Sequence, residues 1–214
     1  MNGLRISRRH ALRGAGLLGL VGTLGGPVAA FADDDGDETL VRWDIITIDF
    51  VNHTLSAGGH ASASAQDGST ITLTGSGTFR PEAPDRVTGG GTWSATGSVA
   101  GSGTYVVRGL VSFVRAPGGA PPLTDLIGKP ADQSAGLAFL RIAYSNGMRG
   151  VLVVSCQIPG NPNANPPTPP APKSIFEGIR TSMGFVDFWD GDDPKPGVNG
   201  NRTNFHVTRD SRRN

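Results

Sequence analysis

The sequence predicts an all-β fold: a small antiparallel β-barrel or, as the alternative, a β-sandwich, glycine-rich and interrupted by one long proline-rich loop. Three observations lead there. No apolar pattern holds a helical period for more than about two turns, so the amphipathic helices that would cover a parallel sheet are missing. Short apolar runs recur between turn dipeptides such as Asp67-Gly68 and Asn146-Gly147. Glycine supplies 32 of the 214 residues, amid frequent Thr, Ser and Val, a composition that tolerates strongly curved strands. Closure is favoured over an open sheet because it leaves no edge through which strands of different molecules can pair.

The elements follow in order. "RWDIITIDFVN" alternates, with Ile46, Ile48 and Phe50 on one face and Thr47 and Asp49 on the other, which predicts a half-buried strand. "HASASAQDGSTITLTGSGTF" reads as a hairpin on Asp67-Gly68. A two-residue loop there sets Ser64 opposite Ile71 and Ser62 opposite Leu73, with Ala61, Ala63 and Ala65 beside Thr74, Thr72 and Thr70. Such small faces predict close packing by another segment, or else the border of a cleft. "VTGGGTWSATG" and "GSGTYVVRGLVSFVRAPGG" supply further strands. "LAFLRIAYSNGMRGVLVVSCQI" is the strongest signal, a hairpin apolar on both faces and therefore central. Its two-residue turn pairs Leu140 with Val153 and Arg141 with Leu152, which would bury Arg141.

Residues 159–172, "PGNPNANPPTPPAP", cannot donate to a ladder and are expected as an exposed extended loop. Ser174 and Glu177 have capping-box spacing, which predicts a short helix weakened by Gly178. "GFVDFWDG" and "NFHV" read as late strands. The organisation expected is a single β domain over 41–214, preceded by a disordered acidic segment 33–40 and ending in a flexible tail 208–214.

Ahead of that domain, Arg5, Arg8, Arg9 and Arg13 stand before a glycine-diluted apolar run that closes on Ala30-Phe31-Ala32, the order of a cleavable signal peptide. Ser7-Arg8-Arg9-His10-Ala11-Leu12 resembles the twin-arginine export motif of bacterial exported proteins, with Ala11 replacing the usual bulky apolar residue. The resemblance implies cleavage after Ala32, a secreted or extracytoplasmic location, and folding before export. No membrane span is expected once the signal is removed, since no other segment is apolar enough.

Four of the 19 basic residues lie in that segment, so the chain from Asp33 onward carries 15 against 18 acidic residues, a formal charge of −3. A nucleic-acid surface is therefore not expected. The single cysteine, Cys156, cannot close an internal disulfide and sits in an apolar strand, where a buried inert thiol is the expectation.

Few residues carry candidate chemistry. Asp187, Asp190, Asp192 and Asp193 surround a glycine and could offer oxygen ligands to Ca2+, the one cofactor considered, although the spacing is not that of an EF-hand. Asp49 and Arg141 are ionisable residues on otherwise apolar strands. If their faces point inward, they could orient a small ligand, with Trp93, Tyr105 and Tyr144 at the rim. No serine-hydrolase elbow and no phosphate loop is present. The leading expectation is a non-catalytic exported protein that binds a small molecule, a glycan or an extracellular surface partner. The alternatives are a cofactor-independent, cyclase- or isomerase-like barrel enzyme and a structural envelope or matrix protein.

Overall fold

The computed structural model describes residues 38–210 apart from positions 161, 164 and 165. The expected signal segment 1–32 and residues 33–37 lie outside the described residues. Thirteen strands make one sheet: Glu38–Asp49 (β1), Thr54–Ala57 (β2), Ala61–Ala65 (β3), Thr70–Leu73 (β4), Ser76–Arg80 (β5), Ala83–Ala95 (β6), Gly101–Ala116 (β7), Thr124–Asp125 (β8), Gln133–Tyr144 (β9), Arg149–Cys156 (β10), Gly178–Met183 (β11), Val186–Gly191 (β12) and Gly197–Asp210 (β13). The fold is all-β, as the turn-punctuated apolar runs predict.

Ten of the strands close into a ring of neighbours, in the order β10, β11, β12, β3, β4, β6, β5, β1, β13, β9 and back to β10. β7 joins β6 to β9 across it. These pairings are antiparallel, and only the short β2–β8 pair is parallel. β4 and β5 act as one bent strand against β6, whose backbone comes so close at Gly91 that a Cβ there would stand 2.0 Å from the carbonyl oxygen of Thr74.

Both predicted hairpins form, but each pairs one residue away from the expected register. The loops have three residues: Ala65 N–H donates to Ser69 O and Tyr144 N–H to Met148 O, while Gly68 and Gly147 occupy the left-handed position at φ +83° and +88°. Because side chains alternate, one step exchanges the partners on each face. Ala63 now faces Ile71 and Ala61 faces Leu73, all four fully buried. The small side chains mark close packing rather than a cleft. Ser and Thr are left outside, where their hydroxyls pair across strands, as in Ser62–Thr72 at 2.8 Å and Thr74–Thr92 at 2.7 Å.

The inward face is filled. Phe79, Phe113 and Phe205 meet edge to face at centroid separations of 5.2 and 5.3 Å beside the fully buried Trp43. β1 is buried on both sides, not one. Val41, Trp43 and Ile45 enter the main interior, whereas Ile46 and Ile48 join Leu55, Leu123 and Ile127 in a smaller cluster on the opposite face. The segment between β7 and β9 covers that face.

Two local expectations are corrected, and a third in part. No helix forms after Ser174; the chain turns and enters β11, because the Glu177 carboxylate goes to backbone groups of other segments instead of capping its own. Residues 38–40, expected within a disordered start, and 208–210, expected within a flexible tail, are paired strand: Thr39 faces Arg209 and Leu40 faces Thr208 in the β1–β13 ladder, while the rest of both expected segments lies outside the described residues. Among its described residues the proline-rich stretch 159–172 enters none of these strands, and its return, with Ala171 buried and not exposed as expected, is fixed by the Ala171 N–H donating to Ile158 O at 2.8 Å. Among the described residues no helix is long and apolar enough to cross a membrane.

Candidate functional site

Asp49 and Arg141, the ionisable pair singled out from sequence, do not meet. Arg141 faces Val151 on the outside of the ring, where its Nη2 lies 3.2 Å from Asp85 Oδ1, with the arginine side chain 56% exposed. Its expected burial fails because the hairpin loop is one residue longer than a two-residue turn. Asp49 ends β1 and accepts hydrogen bonds from the backbone of Val51 and Asn52 and from the Asn52 amide, which hold its carboxyl below the usual aspartate range. It shapes a turn.

Trp93, Tyr105 and Tyr144 do converge, though as core and not as a rim. The rings of Trp93 and Tyr144 stand edge to face at 5.8 Å, and all three residues are buried. Each polar tip is satisfied by a backbone carbonyl: Trp93 Nε1 by Thr104, Tyr105 Oη by Thr74, and Tyr144 Oη by Ser182. Burial pushes the Tyr144 hydroxyl up to about 12, so it stays protonated. As for calcium, Asp187 lies on β12 opposite Ser182, Asp190 pairs with Ser64, and Asp192 N–H donates to Ser62 O. Strand β12 thus extends through part of the acidic stretch expected as a loop. Among the described residues no group of three or more His, Cys, Asp or Glu side chains is placed to hold a metal ion.

The arrangement with the clearest chemistry lies on the covered outer face of β1 and β13. A cavity of about 360 Å3 is walled by Ile46, Ile48, Leu55, Leu123 and Ile158, with Gln133, Cys156, Glu177 and Asn204 also lining it. Its volume falls in the ordinary range of small-molecule sites, which are mostly apolar with a few polar groups. Phe50, 46% exposed, and the partly exposed Arg202 also line it, the guanidinium 5.5 Å from the ring centroid.

The polar lining is unusual in two respects. Glu177 Oε2 accepts from Gln157 N–H at 2.6 Å and Oε1 from Thr203 N–H at 2.7 Å. Even so, loss of water around the carboxyl pushes its pKa up to about 8, against those bonds and the nearby Arg202, which favour the charged form. Secondly, Gln133 Oε1 and Asn204 Nδ2 are buried without a hydrogen-bond partner. Leaving such a group unpaired costs roughly 1–3 kcal/mol. Cys156 packs beside them, its Sγ 3.9 Å from Asn204 Oδ1, and burial pushes its thiol well above the ordinary value. That agrees with the inert thiol expected from the strand.

Besides the β2–β8 pairing, the Asp125 carboxylate ties the cover to the strands beneath it. Asp125 Oδ1 accepts from Ile127 and Gly128 N–H at 2.8 and 3.0 Å, while Oδ2 takes Gln133 Nε2 at 2.5 Å and lies 2.7 Å from His206 Nε2. The same bond orients Gln133, because a carboxylate must receive its NH2 end and leaves Oε1 unpaired. Glu177 is the residue that sequence reasoning placed wrongly, as a helix cap. The available signal was its position as the sole acid within the apolar stretch "SIFEGI". Nothing local marks Gln133 or Asn204, whose importance depends on pairing across β9 and β13. Comparison of the chain with protein-family models, with curated proteins and with solved structures finds no match.

Proposed function

We propose that this chain is an exported, non-catalytic binding protein for a small, largely apolar molecule with a hydrogen-bonding end, held in the cavity between β1, β13 and the 117–132 segment. One observation carries the reading. An aliphatic cavity of ligand size has the polar side chains of Gln133, Glu177 and Asn204 set in its wall. The twin-arginine-like segment at Ser7 to Leu12 supports the exported location.

The test is fluorescence of the neutral probe N-phenyl-1-naphthylamine, read alongside mass spectrometry of small molecules that copurify with the exported protein. Enhancement that saturates at one probe per chain is expected, and Leu55→Trp, which fills the cavity, should abolish it. Binding that survives Leu55→Trp unchanged would rule this cavity out as the site.

Glu177 favours a second reading, a cofactor-independent enzyme of the isomerase type. A carboxyl with a pKa near 8 in an apolar cavity is suited to exchanging protons with a bound molecule at neutral pH. If copurified ligand is turned over by the wild type but only bound by Glu177→Gln, the enzymatic reading replaces the binding one.

A further inference from the structure

We infer that the outer face of β7, β9 and β10 carries a second site, one for a sulfate- or phosphate-type oxyanion gripped by Arg108, Arg141 and Arg149. The three arginines line an open depression of about 780 Å3 together with Ser182 and the backbone at Gly150 and Gly184. The site stands apart from the apolar cavity and needs none of its residues.

Strand register brings the three arginines to one depression. Arg141 pairs with Val151 and Arg149 with Ala143, which makes the two arginines diagonal neighbours on one face of the β9–β10 ladder. On the other side of β9, Val107 pairs with Ile142 and Gly109 with Arg141, so Arg108 is the extra residue of a β-bulge and its side chain is exposed. Bulges of this kind re-aim a side chain at the expense of one ladder pairing. Gly109 completes the arrangement: a Cβ there would stand 2.2 Å from Arg141 Nη2, so the guanidinium lies over bare β7 backbone.

Like charges on neighbouring strand positions repel, and folding alone gives no reason to gather three. Their only carboxylate partner among the described residues is Asp85, bound to Arg141 and itself 90% exposed. Arg108 and Arg149 have none. Planar guanidinium forks match the tetrahedral oxygens of sulfate and phosphate, and Ser182, whose Oγ accepts from Val151 N–H at 3.1 Å, lines the same depression. No aromatic residue lines the depression for bases to stack on, which separates it from a single-stranded nucleic-acid groove. Asp85 then acts as an internal competitor that the incoming anion displaces from Arg141.

The experiment is isothermal titration at low ionic strength with inorganic sulfate, inorganic phosphate, a short dextran sulfate and uncharged dextran as control. Arg108→Gln/Arg149→Gln should weaken anion binding by about tenfold or more, the loss expected for two charge-assisted contacts discounted for exposure. Asp85→Asn should strengthen it several-fold. All three positions are exposed, so circular dichroism and melting temperature should not move. Free sulfate binding as tightly per site as dextran sulfate identifies a free anion as the ligand, and a large advantage for the polymer identifies a sulfated chain. Equal affinity in the wild type and the double arginine variant, or no binding of any of the three anions, overturns the inference.

Discussion

Replacing Asp125 by alanine removes the one carboxylate that fastens the 117–132 segment over the cavity. Four donors surround it, and they are not equivalent. The Gly128 N–H is at an exposed position and that of Ile127 is half-buried, so water can largely replace those two bonds. Gln133 and His206 are each 5% exposed, so water cannot readily replace their bonds at 2.5 and 2.7 Å. At roughly 1.5–3 kcal/mol for a hydrogen bond to a charged group, less the relief of no longer burying a carboxylate, the expected destabilisation is about 3–4 kcal/mol. Urea unfolding at pH 7 measures it.

The pH dependence makes the test sharper. Burial pushes the Asp125 carboxyl up, but hydrogen bonds from His206, Gln133, Gly128 and Ile127 outweigh this and hold it below the ordinary aspartate value. A carboxyl depressed in the folded state contributes stability above its unfolded pKa of about 4, and that contribution is lost as pH falls through the folded value. The gap between wild type and Asp125→Ala should therefore be full at pH 7 and shrink below about pH 4. A gap under about 1 kcal/mol at pH 7, or one that is unchanged at pH 3, refutes the assignment of Asp125 as the fastener.

Glu177 predicts the opposite slope: with its folded pKa raised to about 8, the native state binds the extra proton, so stability should fall as pH rises from about 5 to 8. Melting temperatures across that window should show the slope in the wild type and not in Glu177→Gln. Ala63→Leu forces a larger side chain against Ile71 in the fully buried β3–β4 contact and should cost about 1–3 kcal/mol in chemical denaturation. Cys156, 3% exposed with its thiol pKa raised, should react with iodoacetamide at least about a hundredfold more slowly in the native protein than in urea; comparable rates would place the thiol at the surface.

Particular residues show how far the sequence could be read. Asp67-Gly68 and Asn146-Gly147 located two hairpins correctly, because a glycine that can take positive φ is a local requirement of a tight turn. The same dipeptides did not say whether the loop holds two residues or three, and that one residue moved Arg141 from an expected interior to the outside. Ser174 and Glu177 carried a valid capping signal, overridden when the backbone N–H groups of Gln157 and Thr203 offered the carboxylate a better partner. Trp93, Tyr105 and Tyr144 were rightly grouped but wrongly placed, since alternation along a strand identifies a shared face without saying which way it points.

By itself, then, the amino-acid order determined an all-β chain with its main hairpins, a proline-rich excursion and an inert thiol, all of which follow from short-range backbone preferences and side-chain periodicity. Only the tertiary structure decided which ten strands close the ring and in what order, the cavity on the covered face of β1, and the gathering of Arg108, Arg141 and Arg149. Those features depend on register between segments distant in the chain. Register is fixed by which faces can be buried together, a global condition that no short stretch of sequence contains.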